Sequence, residues 1–121
     1  DDIDLLKGIK ISLMKIDVEG HEIFTLKGAE NLIVENKPVI LFEQSANEIQ
    51  NGSSVVIDYL SQLGYRFAVI QDRFYWGENR LLKILSFGIQ SLIGHKLQLV
   101  DKCQFDPRWY DMIVAIPNED K

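Results

Sequence analysis

The sequence predicts an α/β domain, and three observations predict it. Short apolar runs (Ile9 to Ile16, Pro38 to Glu43, Tyr65 to Ile70) alternate with segments of helical periodicity. The first two runs each end in a carboxylate, Asp17 and Glu43. The turn after the first run is Asp17-Val18-Glu19-Gly20-His21-Glu22, three kinds of acid–base group placed where a strand gives way to a helix. In open α/β sheets ligands bind outside the carboxyl ends of the strands, so acidic groups in that position point to chemistry.

Each element has a local reason. Ile9 to Ile16 is too apolar for a strand with one wet face and predicts burial on both. Glu19 and Glu22 stand at the start of the next helix, where the helix dipole favours negative charge, and three-residue spacing puts them near one face if both are helical. Ile23, Leu26, Ala29 and Ile33 form one apolar stripe, which predicts a helix from Ile23 to Asn36. Asn36-Lys37-Pro38 stops it, because the residue before proline disfavours the helical region. A polar loop runs from Ser45 to Ser54, and Val56, Tyr59, Leu60 and Leu63 then give a second helix ended by Gly64. Strand, helix, strand, helix, strand in that order implies right-handed crossovers and a parallel sheet. Lys96 to Val100 and Tyr110 to Ile116 read as later strands. Between them and the third strand lie an aromatic loop (Phe74, Tyr75, Trp76) and an apolar helical stretch, Leu81 to Ile93. That stretch is too short to span a bilayer; its plainest reading is a packed helix, and a lid or a membrane-surface contact is the sharper one.

Composition bounds the function. The chain has 121 residues, 46% apolar and 26% charged, which suits one globular domain. Thirteen Lys and Arg against eighteen Asp and Glu leave a net charge of −5, with no basic stripe for a phosphate backbone, so nucleic acid is not an expected partner. Cys103 is the single cysteine, so no intramolecular disulfide forms; a partly buried, unreactive thiol in a reducing, cytoplasmic setting is expected. The acidic start, Asp1-Asp2-Ile3-Asp4, has no hydrophobic signal-peptide core and no initiating Met, and suggests a chain that begins inside a longer reading frame.

The chemistry-bearing residues each have a bland alternative. Asp17 could accept a proton, orient a hydroxyl or hold a cation, or it could be a turn carboxylate satisfied by backbone N–H groups. Glu43 could hold a polar substrate or cap the loop that follows. Glu19 and Glu22 could bind substrate or serve the helix dipole. His21 could act as a general base, or it could be a surface residue at a helix start. Gly20 permits a backbone conformation that other residues resist. Asp17, Glu19, His21 and Glu22 offer oxygen and nitrogen ligands, but there is no His-x-x-x-His pair and no cysteine cluster, so no metal is assigned. His95 has no partner in the sequence, and no Gly-x-Ser-x-Gly elbow marks a hydrolase triad. Trp76 and Trp109, with Tyr75 and Tyr110 beside them, could stack on a sugar ring or an apolar acceptor at a crevice rim or close the core.

Taken together, Lys15-Ile16-Asp17-Val18-Glu19-Gly20-His21-Glu22, Leu26-Lys27-Gly28-Ala29 and Lys37-Pro38-Val39-Ile40-Leu41-Phe42-Glu43 resemble the FkbM family of S-adenosylmethionine-dependent methyltransferases, with Asp1 to Leu5 similar to the family's lead-in. The resemblance implies a Rossmann-like class I methyltransferase fold of seven strands, of which this chain would hold strands four to seven with their helices, the last inserted antiparallel. On that mapping residues 1–121 are the carboxyl-terminal part of one methyltransferase domain, and the first half, with its glycine-rich cofactor loop, is absent. The cofactor-binding residues are therefore unassigned, and the isolated chain should be inactive. The implied reaction is methyl transfer from S-adenosylmethionine to a hydroxyl of a sugar, glycolipid or natural product. Asp17 and His21 would be catalytic, with Asp17 the base, and Glu19, Glu22 and Glu43 would bind the acceptor. Two other readings compete: a non-catalytic binding or scaffolding module that lacks the cofactor half, and an unrelated α/β domain whose Asp17 cluster is only a capped turn.

Overall fold

In a computed structural model of the protein, which describes residues 8–72 and 97–118, the chain is a mixed α/β layer. Strands β1 (Leu13–Ile16), β2 (Val39–Gln44), β3 (Tyr65–Asp72), β4 (Leu97–Asp101) and β5 (Tyr110–Pro117) form one sheet in the order β1-β2-β5-β3-β4. The helices are α1 (Glu22–Gly28), α2 (Glu30–Asn36) and α3 (Val55–Gln62). β1 and β2 are parallel, with Ile16 opposite Phe42. β5 runs antiparallel to both β2 and β3 and separates them. The three strands of the predicted alternation, β1, β2 and β3, share one direction as implied. The last strand inserts antiparallel between two of them, the placement that the family resemblance implied, and makes the sheet mixed. β4 pairs antiparallel with β3 at the far edge.

The predicted helix from Ile23 to Asn36 is two helices. The break falls at Gly28, the residue with the least helical preference in the stretch. Ala29 there has φ −99° and ψ 9°, and its N–H is shared between the carbonyls of Thr25 and Leu26. The stripe survives the break: Leu26 and Ile33 are fully buried, and Ile23 and Ala29 pack against the core. Lys37 ends α2 in the left-handed conformation, immediately before the buried Pro38.

The register decides which residues meet. Ile16, Ile40, Phe42, Phe67, Val69, Ile113 and Ala115 share one face and are buried beneath Leu26, Ile33, Val56, Ile57 and Leu60 of the helices. Phe42, Phe67, Phe105 and Tyr110 run through this core as successive edge-to-face pairs, with centroids 6.5, 6.2 and 5.3 Å apart. The opposite face is more open, and Leu13, Ile70, Leu97 and Leu99 are exposed. The expected two-faced burial of the first strand is therefore not observed. β1 is shorter than the apolar run, lies at the sheet edge and buries only Ile16 fully. Cys103 is exposed rather than partly buried, on the bend that follows β4. Among the described residues no helix is long and apolar enough to cross a membrane. Phe74, Tyr75, Trp76, Leu81 to Ile93 and His95 lie outside the described residues.

Candidate functional site

The carboxyl ends of β1 and β2 open into a cavity of about 360 Å³ lined by Glu19, Gly20, Glu22, Glu43, Ser45, Glu48 and Trp109. The turn after β1 builds one wall. Glu19 has φ 43° and Gly20 φ 85°, so both central residues of this turn occupy the left-handed region, and the His21 N–H closes it on the Val18 carbonyl at 3.3 Å. Glycine adopts that conformation freely; glutamate adopts it at a cost. Such strain tends to persist where the surroundings fix a residue for a purpose. The turn reverses the chain so that Glu22, the first residue of α1, reaches back and accepts the Gly20 N–H at 3.1 Å. Glu22 is only 4% exposed, although it is a carboxylate and a cavity wall.

β2 builds the floor. Successive strand residues face opposite ways, so Gln44 turns into the core while Glu43 is half-buried at the cavity. The pairing of β2 with β5 slips here: Phe42 faces Ile113 and Gln44 faces Tyr110, a β-bulge opposite Glu43. Bulges of this kind re-aim side chains beside sites. Glu43 makes no hydrogen bond or ion pair to the described residues, which leaves its carboxylate available to a ligand. Gln44 is fully engaged. Its Nε2 donates to Glu48 Oε2 at 2.6 Å, and its Oε1 accepts the Ser54 hydroxyl at 2.6 Å. Ser54 Oγ in turn accepts the Ile57 N–H at the start of α3. Glu48 Oε2 also accepts the Ser45 N–H at 2.9 Å and the Ser45 hydroxyl at 2.8 Å. Partial burial pushes the Glu48 carboxyl up, but these donors from Ser45 and Gln44 together outweigh it and hold it below the ordinary carboxylate range. Glu48 is thus a charged structural anchor that locks the loop after β2.

The structure divides the sequence-predicted residues. It brings Glu19, Glu22 and Glu43 together in one cavity. Glu19 is not helical, as the three-residue spacing supposed, yet the turn delivers it to the same wall. Asp17 and His21 do not line that cavity. Asp17 pairs with Lys15 at 3.1 Å on the surface, since alternate residues of an extended segment share a side. His21 is exposed, with its ring 6.3 Å from Phe24. Its contribution is through the backbone: its carbonyl receives the Phe24 and Thr25 N–H groups and the Thr25 hydroxyl. Gln44, Ser45, Glu48 and Ser54 were not singled out from the sequence. A signal existed for two of them, because Ser45-x-x-Glu48 is the reciprocal capping pattern and both of its hydrogen bonds form. Among the described residues no group of three or more His, Cys, Asp or Glu is placed to hold a metal ion.

The model of the methyltransferase FkbM domain matches residues 1–67, more than half of the chain, and so takes in every wall of the cavity except Trp109. No curated protein and no solved structure matches the chain. The chain belongs to the FkbM methyltransferase family.

Proposed function

We propose that the cavity at the ends of β1 and β2 is the acceptor side of an S-adenosylmethionine-dependent O-methyltransferase, and that Glu43 takes the acceptor proton. One observation carries this reading: the motif carboxylates Glu19 and Glu22 share one cavity with Glu43, which is distant from them in sequence. The strand order supports a Rossmann-like class I mapping in which β1, β2, β3 and β5 are the fourth to seventh strands. β4 is then an addition outside that set.

The charge of the cavity suits a sulfonium donor, but no described strand is followed by a glycine-rich turn that would let a nucleoside approach the backbone. S-adenosylmethionine, when bound, supplies a methyl group on a cationic sulfur. The chain's own residues do the rest. Glu19 and Glu22 accept hydrogen bonds from hydroxyls of the acceptor and fix its position, which can contribute several orders of magnitude in rate. Glu43, with no competing partner among the described residues, accepts the proton of the hydroxyl that becomes an ether. The family motif had suggested Asp17 as base. Its ion pair with Lys15 and its place outside the cavity favour Glu43. A hydroxyl of a sugar, glycolipid or natural product remains the acceptor class, from the family resemblance.

The test is incubation of a complete domain, these residues joined to the cofactor-binding half that the family resemblance implies, with methyl-labelled S-adenosylmethionine and a panel of hydroxylated acceptors, with the methyl located by mass spectrometry. The reading predicts label on an acceptor oxygen. Label on nitrogen or carbon, or on no acceptor, would overturn it.

A further inference from the structure

We infer that Trp109 is the platform on which the acceptor ring lies, so that the acceptor is a pyranoside presenting a C–H face, not an acyclic alcohol. This deepens the proposed function and rests on reading the cavity as an acceptor site. The pair Trp109-Tyr110 was open to two roles, core closure and a crevice rim, and the structure separates them. Tyr110 closes the core: it is 5% exposed, packs edge-to-face on Phe105, and its hydroxyl accepts the Asp106 N–H at 3.2 Å. Trp109 is 58% exposed, so its indole is not held by the core.

Trp109 is common to two cavities. It lines the acidic one of about 360 Å³ and a larger one of about 500 Å³, whose wall pairs apolar Val69, Ile70 and Met112 with polar Gln71, Arg108 and Asp111. Its base is rigid. Tyr110 is paired with Gln44 in the sheet, the Arg108 guanidinium lies 4.8 Å from the Tyr110 ring centre, and Lys102 holds Asp106 at 3.1 Å. An aromatic ring on a fixed backbone offers contact area at small entropic cost, because only its two side-chain torsions remain to be ordered. A molecule that spans both cavities needs hydroxyls on one edge, for Glu19 and Glu43, and an apolar face for the indole. A pyranose ring has both. The carboxylates disfavour a phosphorylated acceptor.

The chain has two tryptophans, Trp76 and Trp109, so Trp109→Phe assigns the indole N–H resonance of Trp109 in a nitrogen-15 spectrum. The probes are a series of methyl glycopyranosides, with sorbitol as the acyclic polyol. The glycosides should shift the Trp109 indole signal and sorbitol should not. Trp109→Phe, which keeps a ring, should retain binding within about threefold, and Trp109→Ala should weaken it by about tenfold or more. Far-UV circular dichroism of the alanine variant should be unchanged, since the side chain is exposed. Equal binding by Trp109→Ala, an equal response to sorbitol, or no response to any glycoside would overturn the inference. The two proposals fail separately. Trp109-dependent glycoside binding without methyl transfer would sink the proposed function alone, and O-methylation that ignores Trp109 would sink this inference alone.

Discussion

The motif turn and the cavity beside it are built from neighbouring residues, yet they are opposite kinds of surface. Asp17 and His21 stand in water, one in an exposed ion pair and the other beside an exposed phenyl ring. Glu22, Gln44 and Glu48 are withdrawn, and each carboxylate or amide is held by named donors and acceptors. The difference teaches that nearness in sequence did not decide which acidic groups share the cavity. A turn with two positive-φ residues and a bulge in the neighbouring strand did. Exposed ion pairs contribute little, whereas a buried polar network is costly to break.

That contrast can be attacked from its strongest point downward. Gln44→Leu leaves the buried Ser54 hydroxyl without its acceptor and Glu48 with only its two Ser45 donors, and should destabilise the fold by about 2–4 kcal/mol in urea unfolding. A loss under about 0.5 kcal/mol would show that the network holds nothing. Gly20→Ala meets no atom within 4 Å but must keep φ 85°, so it should cost about 1 kcal/mol through the backbone alone. Glu19→Gly, at φ 43°, should do the reverse and stabilise by a few tenths to about 1 kcal/mol while removing a cavity carboxylate. Stability and binding moving together in that variant would argue that Glu19 is only a turn residue.

The pH dependence follows from Glu48. Its folded pKa lies below the unfolded value, so the charged form favours the native state. The contribution is complete above the unfolded carboxylate range and is lost as pH falls through the lower, folded value. Glu48→Gln should therefore flatten the acid limb of a stability-versus-pH curve and leave the neutral region's slope unchanged. The smallest effect is expected at the exposed turn: Asp17→Asn should change stability by no more than about 0.5 kcal/mol, and less in high salt.

Much of this architecture was legible in residue patterns. Apolar runs located β1, β2, β3 and β5, and the stripe through Leu26 and Ile33 located the helical face that covers the sheet. Glu19, Glu22 and Glu43 were legible as carboxylates at strand ends. What periodicity could not give was direction. The insertion of β5 between β2 and β3 depends on long-range pairing; it was implied by the family resemblance and not by any residue of β5. The exposure of β1 reflects its place at the edge, which its apolar composition concealed. Asp17 looked equal to Glu43 in one dimension. Pairing with Lys15 on one strand and a bulge beside the other made them different. The break at Gly28 was visible as a glycine, but the intact stripe on either side outweighed it.

The most direct measurement is the initial rate of methyl transfer by Glu43→Gln and Asp17→Asn, each in the complete domain that carries the cofactor-binding half, side by side with the unmodified domain at saturating acceptor. The account predicts that Glu43→Gln lowers kcat by about 10²–10⁴-fold, the range of a lost general base, while Asp17→Asn stays within about threefold. A collapse of activity in Asp17→Asn with Glu43→Gln nearly unchanged would contradict it and return the base to the exposed turn.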